Sequence, residues 1–274
     1  MSSFEIATVG DNCIDRYLPL GLATVGGNAV NVAVQLSRRG RRTAYFGAIG
    51  NDGDGKWVAA RLADNSVVLN HLRVAAGPTA FTNLDMNAAG DRIIAEEDFG
   101  VCRGYRPDAA EVDALRQARH IHLGWLDDGG ILKRQLTAAR LSVSQDLAVN
   151  PGADLLAIAF ASAGPSRKRA QELLQQAHGQ GAALAVVTMG ALGSIASNGT
   201  DIAEAGIVEV GVVDTTGAGD TFIAAFIDAH LRGAGLGDCL AAGRDAAAAT
   251  CLHLGGFPQQ PEKLTDLAIQ GQIG

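Results

Sequence analysis

"DTTGAGDTFIAAF", Asp214 to Phe226, sets two carboxylates and two glycines against the start of an apolar helical run. A helix start leaves its first N–H groups without intrahelical partners and carries partial positive charge, so it attracts anions. Asp220 therefore has an ordinary reading, as the cap of that helix. The cap leaves Gly217 and Gly219 unexplained, because bare backbone on either side of Ala218 is what lets a bulky anion come close to the N–H groups. The stretch points to a phosphate-binding turn that leads straight into a helix.

Upstream of it, short apolar runs alternate with helical periods. "FEIATVG" (4–10) reads as a strand, "NAVNVAVQLSRRG" (28–40) as a helix closed by Gly40, "TAYFGAIG" (43–50) as a strand and "GKWVAARLADN" (55–65) as a helix. "HIHLG" (120–124), "LSVSQDL" (141–147), "LLAIAFAS" (155–162) and "ALAVVTMG" (183–190) continue the strands, with helical stretches between several of them. That alternation builds a mainly parallel sheet covered by helices, and the chain turns helical after Gly217. One stretch breaks the rhythm. "FTNLDMNAAGDRIIAEED" (81–98) reads as two β segments around an Ala-Ala-Gly turn, with no crossover helix, which suits a small antiparallel flap over a site. The expected organisation is one α/β domain over 1–274, with a β lid formed by about 11–25 and 77–103.

Composition narrows the partners. The 22 basic and 29 acidic residues give a formal charge of −7, without a basic run or aromatic-basic interleaving, which argues against nucleic acid. No apolar run approaches the roughly 20 residues needed to cross a bilayer, and the start "MSSFEIATVGDN" lacks a basic segment followed by a continuous apolar one. A cytoplasmic protein without a membrane partner is expected. Cys13, Cys102, Cys239 and Cys251 are scattered without CxxC or Cys/His pairing, which fits small buried hydrophobes in a reducing compartment rather than a zinc site.

A dinucleotide fold would place GxGxxG directly after the first strand, where "VGDNCIDRY" stands instead. Asp11, Asn12 and Asp15 thus follow the end of that strand, where open α/β sheets meet their ligands. Each acid also reads as a turn residue or cap. Gly26 and Gly27 precede a helix carrying Asn28 and Asn31. Short polar side chains beside bare glycines suit a polyhydroxylated ligand, whose hydroxyls both donate and accept. "VTMGALGS" (187–194) is a strand running into a glycine turn at Gly190 and Gly193, which alone is a common feature. With Gly217 and Gly219 in the same half of the chain, a nucleotide would lie across two neighbouring turns and the sugar-like pocket would belong to the other half.

These residues resemble the ribokinase-like carbohydrate kinases over nearly the full length. Gly26-Gly27, Asn31, Gly40 and Gly50 match the spacing of that family's N-terminal signature, and Asp214 through Phe226 its C-terminal signature. "IATVGDNCIDRY", "GGNAVNVAV", "GDRI" and "FASA" are similar to the family's fructoselysine 6-kinases. The resemblance implies a three-layer α/β sandwich and ATP-dependent phosphorylation of a sugar's primary hydroxyl, here of fructoselysine or a related amine-linked ketose at the 6-position. It implies that Asp220 is the catalytic base and that Gly217, Ala218 and Gly219 offer N–H groups to the transferring phosphate. The same helix terminus is expected to keep Asp220 ionised. By the same resemblance Asp15 and Asn31 grip sugar hydroxyls, with Gly26 and Gly27 allowing close contact; Arg92 on the lid joins this acceptor set, and Thr188, Gly190 and Gly193 form the nucleotide turn. Asp214 structures its loop and helps bind a monovalent cation such as potassium.

The chain departs from the family at one place. Many relatives carry Asn-x-x-Glu after a central strand, where the Glu organises magnesium's water shell; here "FASAGPSRKRAQ" puts Ser162 in place of the Asn, and the next acid, Glu172, lies well into a helical pattern. Magnesium is then expected as the nucleotide's counterion, held by phosphates and water. Lid acids Asp91, Glu96, Glu97 and Asp98 are candidates to meet an amine tail, against their plainer reading as a solvated edge. The lid's open edge offers backbone groups to a second copy, the route to a homodimer. Other readings are a kinase for another small sugar, a sugar acid or a nucleoside, and a sensor that kept the fold and lost turnover; the intact Gly217–Asp220 turn speaks against the sensor.

Overall fold

The computed structural model describes residues 4–86 and 92–264. Among them nine strands form the main sheet, in the spatial order Ile202–Ala205, Ser194–Ser197, Leu184–Thr188, Ile158–Ser162, Val143–Asp146, His120–Leu123, Ile6–Val9, Thr43–Gly50 and Leu72–Ala75. From Leu184–Thr188 to Leu72–Ala75 every pairing is parallel. The two strands at the other edge pair antiparallel. Those two strands, and Leu72–Ala75 at the opposite edge, were not read from the sequence.

Alternate strand residues are apolar on both faces, so helices cover both. Ala159, Ala185 and Val187 pack with Leu115, Leu136 and Leu174 from the helices Ala109–Leu115, Ile131–Ala138 and Arg167–Gly179. Ile158, Phe160 and Val186 face the other way, against Leu36, Phe222, Phe226 and Leu240 from the helices Asn28–Arg38, Ala218–Leu231 and Leu236–Thr250. The result is a three-layer α/β sandwich. The helix expected over 55–65 spans Gly53–Asp64, because Asp52 caps it by accepting from the Gly55 N–H at 2.8 Å.

A second sheet lies apart from the first. Its order is Glu262–Lys263, Leu22–Gly26, Cys13–Tyr17, Phe81–Met86 and Arg92–Asp98. The lid segments 11–25 and 77–103 therefore meet by parallel pairing of Cys13–Tyr17 with Phe81–Met86. The strand Glu262–Lys263, which sequence reading missed, closes one edge. The Ala-Ala-Gly turn of the expected hairpin and Asp91 lie outside the described residues; its two strands pair antiparallel. No described helix is long and apolar enough to cross a membrane. All four cysteines are free; Cys102 and Cys239 are buried, Cys13 and Cys251 half-buried.

Candidate active site

Parallel pairing brings five strand ends to one edge of the sheet. Across it run Thr188, Ser162, Asp146, Trp125 and Asp11, each at or just past its strand. The helix Ala218–Leu231 starts over this edge. Its cap is Gly217, in the left-handed conformation at φ 70°, where a side chain would also overlap the Gly256 backbone. Asp220 makes no cap bond. Its carboxylate instead accepts from the Asn28 and Asn31 side-chain amides, both at 2.7 Å. The capping reading of Asp220 therefore gives way to a carboxylate held from a neighbouring helix.

The charge state differs from expectation too. Burial pushes the Asp220 carboxyl well above its ordinary value; the Asn31 hydrogen bond works against this, while the carboxylates of Asp146, Asp11 and Asp15 add to it. The helix terminus does not dominate, because the carboxyl is buried and three further negative groups share the space. Asp146 was missed in the sequence. It ends the strand Val143–Asp146, accepts from the Asn28 amide at 3.0 Å and from the Ala148 N–H at 2.9 Å, and is itself raised by burial. Its position at the carboxyl end of a parallel strand was the available signal.

The acceptor-side residues divide into two groups. Asn28, Asn31 and Asp15 gather around Asp220. Asp15 is buried on the lid strand, accepts from the Cys13 thiol at 3.3 Å, and occupies the space a side chain on Gly26 would need. Asp11, Asn12, Gly26 and Gly27 serve the frame instead. Asp11 accepts the N–H groups of Asn28 (2.9 Å), Ala29 (3.2 Å) and Trp125 (3.2 Å), and so holds the start of the Asn28–Arg38 helix. Burial raises its pKa against those three bonds. The Asn12 amide turns into the core, donating to Tyr45 Oη at 3.0 Å and the Ala48 carbonyl at 2.6 Å. A side chain on Gly27 would collide with the Asn12 backbone. The two glycines expected to bare the backbone for a ligand are required by this packing.

Among the lid acids, Glu97 stands across from Thr82, which stands across from Asp15, so the three share the face turned to the site. Burial and the nearby Asp11 charge raise the Glu97 pKa. Glu96 lies on the opposite face, accepting from Asn83 at 2.8 Å, and Asp98 accepts the Gly100 N–H at 2.9 Å, so neither is placed to meet a tail. The Arg92 side chain lies outside what is described.

The donor side is a cleft of about 920 Å³. Thr188, Gly190 and Gly193 line it together with Thr215, Ala218 and Gly219, so the two glycine turns do meet. Gly219 and Gly190 open onto space, whereas Gly193 is needed for close packing on Ala205. Ser162, Phe222 and Arg244 also line the cleft; of these, Phe222 and Arg244 carried no sequence signal beyond helical periodicity.

Asp214 joins lid to turn. Its Oδ2 accepts from Tyr17 Oη at 2.6 Å and the Gly255 N–H at 2.9 Å, its Oδ1 from the Thr216 N–H at 3.0 Å and hydroxyl at 2.9 Å. Those four bonds tie the lid strand, the turn and the Gly255 backbone together, which suits the loop-organising role expected of Asp214. Glu172 pairs with Arg169 at 3.3 Å on an exposed helix face, away from the cleft lining. Among the described residues no three His, Cys, Asp or Glu side chains converge to hold a metal.

Known proteins resemble the chain in sequence and in fold. The pfkB family carbohydrate kinase model matches residues 22–156 and 148–263. The chain is 31% identical to fructoselysine 6-kinase of Escherichia coli over 92% of its own length and 99% of that protein. It is 30% identical to a fructosamine kinase of Bacillus subtilis, covering 92% of this chain and 93% of the relative. In structure it resembles the ribokinase of Arabidopsis thaliana complexed with ribose and ATP, with a TM-score of 0.83 at 21% identity and 98% coverage of both chains.

Proposed function

The chain belongs to the pfkB family of carbohydrate kinases, and on that premise we propose that it transfers the terminal phosphoryl group of ATP to the 6-hydroxyl of fructoselysine or a related amine-linked ketose. The observation that carries the reading is the place of Asp220. It stands at the head of the helix whose glycine turn borders the donor cleft, while Asn28 and Asn31 hold its carboxylate from the acceptor side.

In this reading the acceptor oxygen attacks the terminal phosphorus, the bond to the leaving ADP oxygen breaks, and the hydroxyl proton passes to Asp220. Phosphoryl transfer has a loose transition state, so positioning and charge stabilisation matter more than a strong base. Asn28 and Asn31 fix the carboxylate so that one oxygen meets the hydroxyl. The first-turn N–H groups, which lack intrahelical acceptors, face the phosphate. Magnesium held by the nucleotide's phosphates and water would neutralise phosphate charge there. Asp15 binds acceptor hydroxyls, and the lid that carries it excludes water, which would otherwise take the phosphate.

The acceptor assignment rests on the named relatives and on Glu97, the acid of the strand Arg92–Asp98 that shares the site face with Thr82 and Asp15. A charge-assisted hydrogen bond to the substrate amine contributes about 1.5–3 kcal/mol, a preference of roughly ten- to a hundredfold. Comparing kcat/KM for fructoselysine, fructose and ribose at matched ATP and magnesium tests it. Fructoselysine is expected to lead by that margin; equal use of fructose or ribose ends the acceptor assignment and leaves the kinase assignment in place.

A further inference from the structure

One wall of the acceptor side has no part in the transfer itself. Phe99, the residue after the lid strand Arg92–Asp98, stacks on Trp125, with ring centroids 3.9 Å apart and planes 15° from parallel. Both are half-buried. The Trp125 N–H donates to Asp11 Oδ1 at 3.2 Å, Asp11 Oδ2 takes the Asn28 N–H at 2.9 Å, and the Asn28 amide reaches Asp220 at 2.7 Å. The first two of these bonds come from the backbone N–H groups of Trp125 and Asn28, so they place the loop that carries the aromatic pair beside the helix that holds the base. Glu97, two residues before Phe99, lies on the site face of the lid, near enough to Asp11 to feel its charge. The exposed Arg103 guanidinium lies 5.8 Å from the Phe99 ring centroid, within cation–π range.

We propose that Phe99 and Trp125, flanked by Glu97 and Arg103, form a subsite for the amino-acid tail of the acceptor. The aliphatic stem lies along the rings, the ammonium group meets Glu97, and the carboxylate meets Arg103. The inference rests on the fructoselysine reading and deepens it by assigning the part of the substrate that fructose lacks. Each element has a physical counterpart in that tail. Aromatic rings offer a large rigid apolar surface for methylenes at low entropic cost. A guanidinium fork is shaped for a carboxylate, and a carboxylate beside a second one gains from a cation placed between them. A plain hexose has neither a stem nor a zwitterionic end, so it would leave this wall wet.

The test compares two acceptors, fructoselysine and the ketose carrying methylamine at the same carbon, which keeps the amine and lacks both stem and amino-acid end. The readout is the ratio of their kcat/KM values. Trp125→Ala is expected to lower the ratio about tenfold or more, and Arg103→Gln by up to about tenfold, the lower end for an exposed charge-assisted bond. Because Arg103 is exposed, its variant keeps the test sound should Trp125→Ala fold poorly. A ratio unchanged in Arg103→Gln, with both acceptors declining in parallel in Trp125→Ala, makes the aromatic pair a structural plug and overturns the proposal. Wild-type enzyme that uses the methylamine-linked ketose as well as fructoselysine also overturns it, while leaving the amine-linked ketose reading intact. That reading falls on a different result, equal use of fructose or ribose.

Discussion

The two halves of the site are built from different materials. The donor cleft is walled by glycine turns, small residues and the head of one helix, with Gly190 and Gly219 facing open space. The acceptor half is walled by ionisable and amide side chains, where burial raises the proton affinity of Asp220 and the carboxylates of Asp146, Asp11 and Asp15 add to it, as Asp11 does for Asp146. Backbone N–H groups bind anions without changing charge between pH 5 and 9. A crowd of carboxylates changes charge with every proton. Donor binding should therefore respond to shape, and acceptor turnover to charge.

The largest effect expected from breaking this contrast is at Asp220. Asp220→Asn keeps the shape and removes the base, and kcat is expected to fall by at least about a hundredfold, the low end for a positioned acid or base, with little change in KM for ATP. Stability should move the other way. The folded chain holds the Asp220 proton more tightly than the unfolded chain does, so the stability linked to it is full below the unfolded carboxyl pKa and is lost as pH rises through the raised folded value. At neutral pH the variant should then melt above wild type, and the gap should close as pH falls toward the unfolded value. The Oδ1 atoms of Asn28 and Asn31 have no partner, so either amide can turn to accept from the new one. Turnover near wild type would remove Asp220 from the base role.

Two glycines two residues apart sharpen the donor side. Gly217 has a left-handed backbone and lies against Gly256, so Gly217→Val is expected to cost about 1–3 kcal/mol of stability and to disturb the turn itself. Gly219 is helical with nothing within 4 Å of its side-chain position. The positive φ of this turn is at Gly217. Gly219→Val should fold as well as wild type, since Val suits a helix interior at least as well as Gly does, yet crowd the phosphate approach and raise KM for ATP or lower kcat. A folded Gly219→Val enzyme with both constants unchanged would break the anion-cradle reading of the donor half. Measuring melting and ATP kinetics on both variants separates frame from cradle.

The same contrast explains what the sequence disclosed. The donor half is written in contiguous stretches, Thr188 to Gly193 and Asp214 to Asp220, whose glycine spacing is visible without knowing the fold. The acceptor half is assembled across the chain: Asp220 meets Asn28 from 192 residues away and Asn31 from 189. Asp146 and Trp125 look like ordinary strand-end residues until parallel pairing brings their ends to the same edge. Asn12 and Gly27 sit in a site-like stretch yet serve packing, because the direction of a side chain past a strand depends on neighbours such as Tyr45 that lie 33 residues on. The six inner strands of the main sheet were legible from apolar runs; the edge strand Leu72–Ala75 was not read, nor was the antiparallel edge, since "GSIASNGTDIAEA" carries small and polar residues where a buried strand would carry bulky ones.

Asp146 offers the smallest change and the most direct measure of charge coupling. Its carboxylate is one of three that raise the Asp220 pKa, after burial itself. A general base works when deprotonated, so turnover should rise with pH through the Asp220 value and then level off. Replacing Asp146 by Asn removes one repelling charge and should bring that rise to lower pH. The substituted amide oxygen can still accept from Asn28, the bond the acid makes at 3.0 Å, which keeps Asp220 held from the same side. The upper plateau of kcat should thus change much less than in Asp220→Asn. KM for ATP should stay as in wild type at each pH, because the glycine turns carry no titrating group. A profile that keeps its midpoint in Asp146→Asn would mean that burial alone sets the base. A midpoint that falls while KM for ATP shifts with it would mean that the halves are not electrically separate, and the contrast between a backbone-built donor side and a charge-built acceptor side would fail.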